Sequence, residues 1–137
     1  MRYSKYSGGG NFFSLPNEVF LLGLSAGELA VYSFLKRCEN RKTHQCWPSI
    51  KTIGQAVGMS ENTVRKYIRQ LEERRLIVTE PTEVITKTGE KRNGNLLFTL
   101  RLHEVIDQYY DRQLAELELS AERQRVSNLL REQESPA

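Results

Sequence analysis

The stretch TIGQAVGMSENTVRKYIRQLEERRLI, Thr52 to Ile77, decides the fold of this chain. It reads as a short helix, a glycine-bearing turn and a longer basic helix. Rotating 100° per residue from Val64 places Tyr67, Ile68 and Leu71 within about 60° of it. Asn62, Lys66 and Arg69 fall near the opposite side, flanked by Arg65 and Thr63. One face is core and the other is polar and cationic. A cationic face on a lone helix usually means only a solvated surface. Here the joint adds meaning. Gly58 stands where a helix-turn-helix needs a positive φ or a close backbone approach. Ser60 can cap the second helix through the backbone N–H of Asn62 or Thr63. Ile53, Val57 and Met59 pack the first helix on the second, and Gly54 lets the two backbones approach. The second helix is thus held at a set angle, with its N-terminus and outer face projecting as insertion into a major groove requires.

Upstream, SLPNEVFLLGL predicts a helical turn from Pro16 to Leu22, ended by Gly23. In SAGELAVYSFLKRC, Ser25 and Glu28 have capping-box spacing, and Leu29, Tyr32, Phe34 and Leu35 supply a buried stripe. ENRKTHQ is a polar loop. Ser49 is the expected N-cap of a short helix with Ile50 and Ile53 on its apolar side.

Downstream, LIVTE and TEVITK are rich in β-branched residues, TGEKRNGN is a turn region and LLFTLRL is a second apolar run. The pattern predicts a β-hairpin with a long tip. From His103 the chain turns helical again. Ile106, Tyr110, Leu114, Leu117 and Ala121 form a narrow seam of the kind used in helix pairing. The alternative is an extra core helix packed on its own domain. The seam fades after Ala121, where Ser120 suggests a fresh helix start.

Charge is distributed unevenly. Residues 1–101 carry 16 Lys+Arg and 9 Asp+Glu, whereas residues 102–137 carry 4 and 8. A basic body with an acidic tail points to a polyanion met by the body alone. No apolar run approaches the roughly 20 residues needed to span a bilayer. The start, MRYSKYSGGGN, lacks a signal-peptide core. Cys38 and Cys46 offer no disulfide framework, which predicts a cytoplasmic protein with free thiols. Cys38, His44, Cys46 and the distant His103 lack zinc-ligand spacing, and Cys46 beside Trp47 reads as core. No P-loop, nucleophile elbow or H-E-x-x-H is present. The expectation is a non-catalytic protein with no cofactor, no metal, no membrane and no small-molecule ligand.

These segments resemble a known family. FFSLPNEVFLLGLSAGELAVYSFLK followed by CWPSIKTIGQAVGMSENTVRKYIRQLEERRLI is similar to the winged helix-turn-helix domain that opens plasmid replication initiators and phage replisome-organiser proteins. The likeness covers about residues 12–101. The last segment also resembles GntR-type repressors, matching at Pro48, Ser49, Ser60, Thr63, Val64 and Arg65. Glu61 replaces the arginine usual after that serine, and their effector domain is absent. The resemblance implies a mainly α fold with a small β-hairpin and a function in DNA binding.

The expected organisation is a flexible arm (1–11), a winged helix-turn-helix domain (12–101), a C-terminal helix serving as a dimerisation element (102–131) and a disordered tail (132–137). The expected function is sequence-preferring binding of double-stranded DNA, in a transcriptional regulator or a replication-initiation protein of a plasmid, phage or conjugative element. The competing expectation is a winged-helix protein-interaction module. Ser49, Lys51, Ser60 and Thr63, with the helix N-termini, suit phosphates. Asn62 suits adenine, and Lys66 or Arg65 suits guanine, with Arg69 on the same face. Glu61 either accepts from cytosine N4 or turns away. Lys87, Lys91 and Arg92 at the hairpin tip either straddle the backbone or enter the minor groove.

Overall fold

The computed structural model describes residues 12–134, so the expected arm (1–11) and residues 135–137 of the expected tail lie outside it. The chain falls into two units, one ending at Leu102 and one starting at His103.

The first unit opens with a 3-10 helix, Asn17–Leu21, entered from Pro16. Gly23 follows at φ +70°, so the chain reverses where the sequence led us to expect a stop. Helix α1, Ala26–Cys38, begins with the full capping box: Ser25 Oγ accepts from the Glu28 amide, and Glu28 accepts from the Ser25 amide. Its buried face is Val31, Tyr32 and Leu35; Leu29 and Phe34, expected in that stripe, are only half-buried. Val31 belongs to the buried face because it, not Phe34, lies one turn from Leu35.

Helix α2, Ile50–Val57, and helix α3, Glu61–Glu73, are started by the same device. Ser49 Oγ accepts from the Thr52 amide at 3.0 Å and donates to Thr52 Oγ1 at 2.8 Å. Ser60 Oγ accepts from the Thr63 amide at 3.3 Å and donates to Thr63 Oγ1 at 2.9 Å. Each pair fixes one otherwise unmet amide of its helix and stiffens the first turn. Gly58 sits at φ +71° between the helices. A Cβ on Gly54 would lie 2.6 Å from the Met59 carbonyl oxygen, so only glycine allows the turn to fold back this closely. Val64, Ile68 and Leu71 of α3 are buried, as their spacing predicts.

Three strands complete the body. β2, Ile77–Glu80, and β5, Leu97–Leu100, pair antiparallel with Ile77 opposite Leu100. A two-residue strand β1, Gln45–Cys46, joins the free edge of β5. That strand was not expected from the sequence, because two residues carry no period. It places Cys46 in the core opposite Phe98, while Trp47 beside it stays 63% exposed. Burial pushes the Cys46 thiol up to about 12 and raises that of Cys38 as well, so both are protonated at neutral pH.

The hairpin between β2 and β5 has a second storey. β3, Glu83–Ile85, and β4, Lys91–Asn93, form their own ladder, with Val84 opposite Arg92 and Ile85 opposite Lys91. The tip is only the turn from Thr86 to Glu90, with Gly89 at φ +84°. The long flexible tip expected over TGEKRNGN is therefore corrected: Lys91 and Arg92 are strand residues. Cross-strand pairing satisfies their backbone, which an open loop would leave to water.

Helix α4, Leu102–Glu134, is a single run of 33 residues. It does not restart at Ser120, and it continues past Arg131, where the sequence suggested disorder. In the second unit Tyr110, Leu114, Leu117, Leu119, Val126, Leu129 and Leu130 are all exposed. Among the described residues no helix is long and apolar enough to cross a membrane.

Candidate nucleic-acid interface

Everything that holds α3 in place leaves its outer face free. Its C-terminal end is clamped by Arg74, which donates to both carboxylate oxygens of Glu28 and to the carbonyls of Leu22 (3.1 Å) and Gly23 (3.2 Å). One guanidinium thus ties the end of α3 to the start of α1 and to the turn before it. Glu28 is 4% exposed. Burial pushes its carboxyl up, but hydrogen bonds from Arg74 and Ser25 and the Arg74 charge outweigh burial and hold it below its ordinary range. Thr79 of β2 donates to Glu72, fixing α3 to the sheet. At the middle of α3 the Tyr67 ring lies on Gly27 of α1, where a Cβ would come within 2.1 Å of the ring.

On the outer face Asn62, Arg65, Lys66 and Arg69 are exposed, and Thr63 is half-buried. The same face ends in Glu73, one turn beyond Arg69. Its sign therefore changes along the helix, and the two N-terminal turns are the part that suits a polyanion. Glu61 does not project alone: its carboxylate lies 3.8 Å from Arg65, and Arg65 also donates to Asn62 Oδ1 at 3.2 Å. These are exposed, weak contacts that a stronger partner displaces. Lys66 Nζ sits 5.3 Å from the centre of the Tyr67 ring.

Asn62, Arg65 and Arg69 line an open groove of about 530 Å³ together with Glu72, Ile50, Ile68 and Leu96. It brings together the first residue of α2, the outer face of α3 and the returning leg of the hairpin. Ser49, Lys51 and Ser60 are at or near the starts of α2 and α3, where unpaired amides point outward. Asn95, on the returning leg, donates to the Trp47 carbonyl at 3.1 Å and so ties the hairpin to the start of α2. Sequence reasoning missed this tie, because no local pattern links positions 48 residues apart.

The hairpin residues divide. Lys87 is exposed at the tip. Lys91 and Arg92 are consecutive in β4, so they point to opposite faces of the ribbon. Arg92 lies 3.8 Å from Glu90. The three cations therefore do not form one patch. Among the described residues no three His, Cys, Asp or Glu side chains gather as metal ligands.

A glycine-jointed helix pair packed on a third helix, followed by an antiparallel ribbon, is a winged helix-turn-helix. Residues 22–77 match the protein-family model described as a helix-turn-helix domain. The match covers 56 of the 137 residues, so this segment is similar to helix-turn-helix domains. The match spans α1 to α3 and stops at the first residue of β2, so the wing and α4 lie beyond it. No curated protein matches the chain. Among solved structures, the chain is similar to one titled "Possible transcriptional regulator from Methanosarcina mazei Go1", at 15% identity and TM-score 0.41, covering 71% of this chain and 79% of that one. It is also similar to BpsR of Bordetella bronchiseptica, in a structure titled for regulation of DNA binding by 6-hydroxynicotinic acid, at 21% identity and TM-score 0.37, covering 88% and 84%. The winged helix-turn-helix reading of the chain rests on its own geometry.

Proposed function

We propose that this protein binds double-stranded DNA with sequence preference, inserting the first two turns of α3 into the major groove. The observation that carries the reading is the outer face of α3: Asn62, Lys66 and Arg69 project, while every apolar side chain of the helix turns inward. Asn62 supplies the donor and acceptor that adenine needs, and Lys66 or Arg65 suits guanine N7 and O6. Arg65 is released from Glu61 and Asn62 on binding. Ser49, Lys51, Ser60 and Thr63 position the protein on phosphates from the starts of α2 and α3. Lys87, with Lys91 or Arg92, adds backbone affinity from the wing.

The protein acts as a regulator of transcription or as a replication initiator of a plasmid, phage or conjugative element, in the cytoplasm. Helix α4 pairs two copies. Both roles use the same DNA contact, and the arrangement of half-sites separates them: an inverted repeat suits a two-fold repressor, direct repeats suit an origin.

Selection of bound sequences from random DNA tests the reading. A defined motif is expected. Asn62→Ala and Lys66→Ala should each weaken binding to it by about 1–3 kcal/mol, with relaxed preference at one position. Affinity should fall steeply with salt, with a log–log slope of about −0.9 per phosphate neutralised. Recovery of no motif, with both variants binding like the parent, sinks base readout. A flat salt response sinks DNA binding altogether and leaves the protein-interaction module.

A further inference from the structure

Helix α4 carries more apolar surface than one seam. Taking Tyr110 as zero, Ile106, Leu114, Leu117 and Ala121 fall within about 40° of it at 100° per residue. Leu119, Val126 and Leu130 fall within about 20° of the opposite direction, while Leu129 lies about 80° from it, between the two stripes. Because α4 is one uninterrupted helix, no kink brings the two stripes to the same side. Leu119, Val126, Leu129 and Leu130 are 52%, 47%, 59% and 53% exposed. A single helix pair can cover one stripe only.

Charge decides which stripe suits a second copy of this chain. Residues 102–118, which carry most of the first stripe, hold five acids (Glu104, Asp107, Asp111, Glu116, Glu118) against Arg112 alone. Two such segments side by side repel. Residues 119–134, which carry the second stripe, hold three acids (Glu122, Glu132, Glu134) and three arginines (Arg123, Arg125, Arg131). That segment is neutral and already pairs its own charges: Arg125 lies 3.1 Å from Glu122. Laid antiparallel on itself, it sets Leu119 against Leu130 of the second copy and brings each Glu122 within one turn of the other Arg125.

We infer that the far half of α4, through Leu119, Val126 and Leu130, is the surface by which two copies associate, its occupant being the same stripe of a second copy in antiparallel alignment. This rests on the dimeric reading above and moves the contact away from the Ile106–Ala121 seam. Two helices joined near residues 124–125 hold their His103 ends roughly 65 Å apart at 1.5 Å per residue.

Sedimentation of the full chain at tens of micromolar tests the inference, with two neutral, helix-compatible double variants, Leu114→Gln/Leu117→Gln and Val126→Gln/Leu130→Gln. Unchanged helicity by circular dichroism checks that each helix survives. The parent and the first variant are expected to be dimers of similar affinity. The second variant is expected to dissociate at least about tenfold more readily, since four apolar side chains per dimer leave the contact. Added salt should leave the dimer nearly unchanged, because a neutral stripe has little net repulsion to screen. A dimer that persists in Val126→Gln/Leu130→Gln overturns the assignment. So does its loss in Leu114→Gln/Leu117→Gln, alone or together with the other variant. A parent that is monomeric overturns both this inference and the dimeric reading, while the motif selection judges DNA binding separately.

Discussion

Helix α3 carries one apolar stripe and helix α4 carries two on opposite faces, and their fates differ. In α3 the stripe of Val64, Ile68 and Leu71 is at most 4% exposed. In α4 the apolar residues from Tyr110 onward are about half exposed or more. Periodicity alone says that a helix has an apolar side; it does not say what lies against it. For α3 the answer lies close by in sequence: the joint at Gly54 and Gly58 and the caps at Ser49 and Ser60 fold α2 onto it. For α4 the sequence has no such local joint, and its apolar residues from Tyr110 onward stay exposed. The first helix is held so that its other face stays free; under the proposed pairing the second would act through an uncovered face.

The largest expected contrast between them is in hydrogen exchange. Backbone amides of α3 from Val64 to Leu71 should open only with global unfolding, and those of α4 beyond Ser120 by local fraying. With an ordinary global stability of about 5 kcal/mol or more, the α3 amides should exchange about 10³-fold more slowly at low protein concentration. Raising the concentration should slow α4 alone. Equal protection at high dilution would mean that α4 is stabilised without a second copy.

Next in size is the Arg74 clamp. Arg74→Ala leaves the buried Glu28 carboxylate without its partner and frees two carbonyls. A fully buried pair broken this way costs about 3–5 kcal/mol. Arg74 is 38% exposed, so about 2–3 kcal/mol is the expected loss in chemical denaturation. The pH dependence has a definite sign. The Glu28 carboxyl is held below its unfolded value, so its contribution is complete above the unfolded carboxylate range near about 4.3 and is lost as pH falls through the folded value. The parent should therefore lose stability on acidification more steeply than Glu28→Gln. Parallel acid limbs for the two proteins would show that the pair contributes little.

Gly54→Ala probes the joint instead of the clamp. The added methyl meets the Met59 carbonyl oxygen, which is backbone and cannot rotate away. A loss of about 1–3 kcal/mol is expected, with a fall in DNA affinity from a tilted α3. Gly27→Ala is the control. Its methyl meets the Tyr67 ring, a half-buried side chain that can swing outward, so a smaller loss is expected. If the order is reversed, α1 and not the α2 turn sets the angle of α3.

Much of this was legible in the sequence because its causes are local. The capping box at Ser25 and Glu28, the caps at Ser49 and Ser60 and the turn at Gly58 each act within four residues. The missing parts act at long range or lack a period. Glu28 and Arg74 lie 46 residues apart, and nothing near either announces the other. β1 is two residues long. The second ladder of the wing was hidden because KRN, a polar triplet, has no strand signature. On the outer face of α3, the exposure of Asn62, Arg65, Lys66 and Arg69 was readable from the helix period. The separation of Lys91 from Arg92 was not, because it follows only once both lie in one strand. Lys91→Ala and Arg92→Ala should accordingly differ: a wing lying flat on DNA uses one of them, and only that variant should flatten the salt slope by about 1.

The smallest expected effect sharpens what stops α3. After Arg74 the Arg75 amide bonds to the Glu72 carbonyl at 2.9 Å and the Leu76 amide to that of Leu71 at 3.1 Å. This is a Schellman ending, which usually places glycine at the left-handed position. Here Arg75 occupies it at φ +62°. A non-glycine residue there is strained by about 1 kcal/mol, and its side chain is exposed. Arg75→Gly should relieve that strain and raise stability by somewhat less than about 1 kcal/mol, since glycine also loosens the unfolded chain. The measurement becomes informative when DNA binding is followed in the same variant. If stability rises and affinity is unchanged, the arginine is incidental. If stability rises while affinity falls alike on all sequences, Arg75 is kept for its charge, and the phosphate-contacting surface extends past the end of α3 toward the sheet.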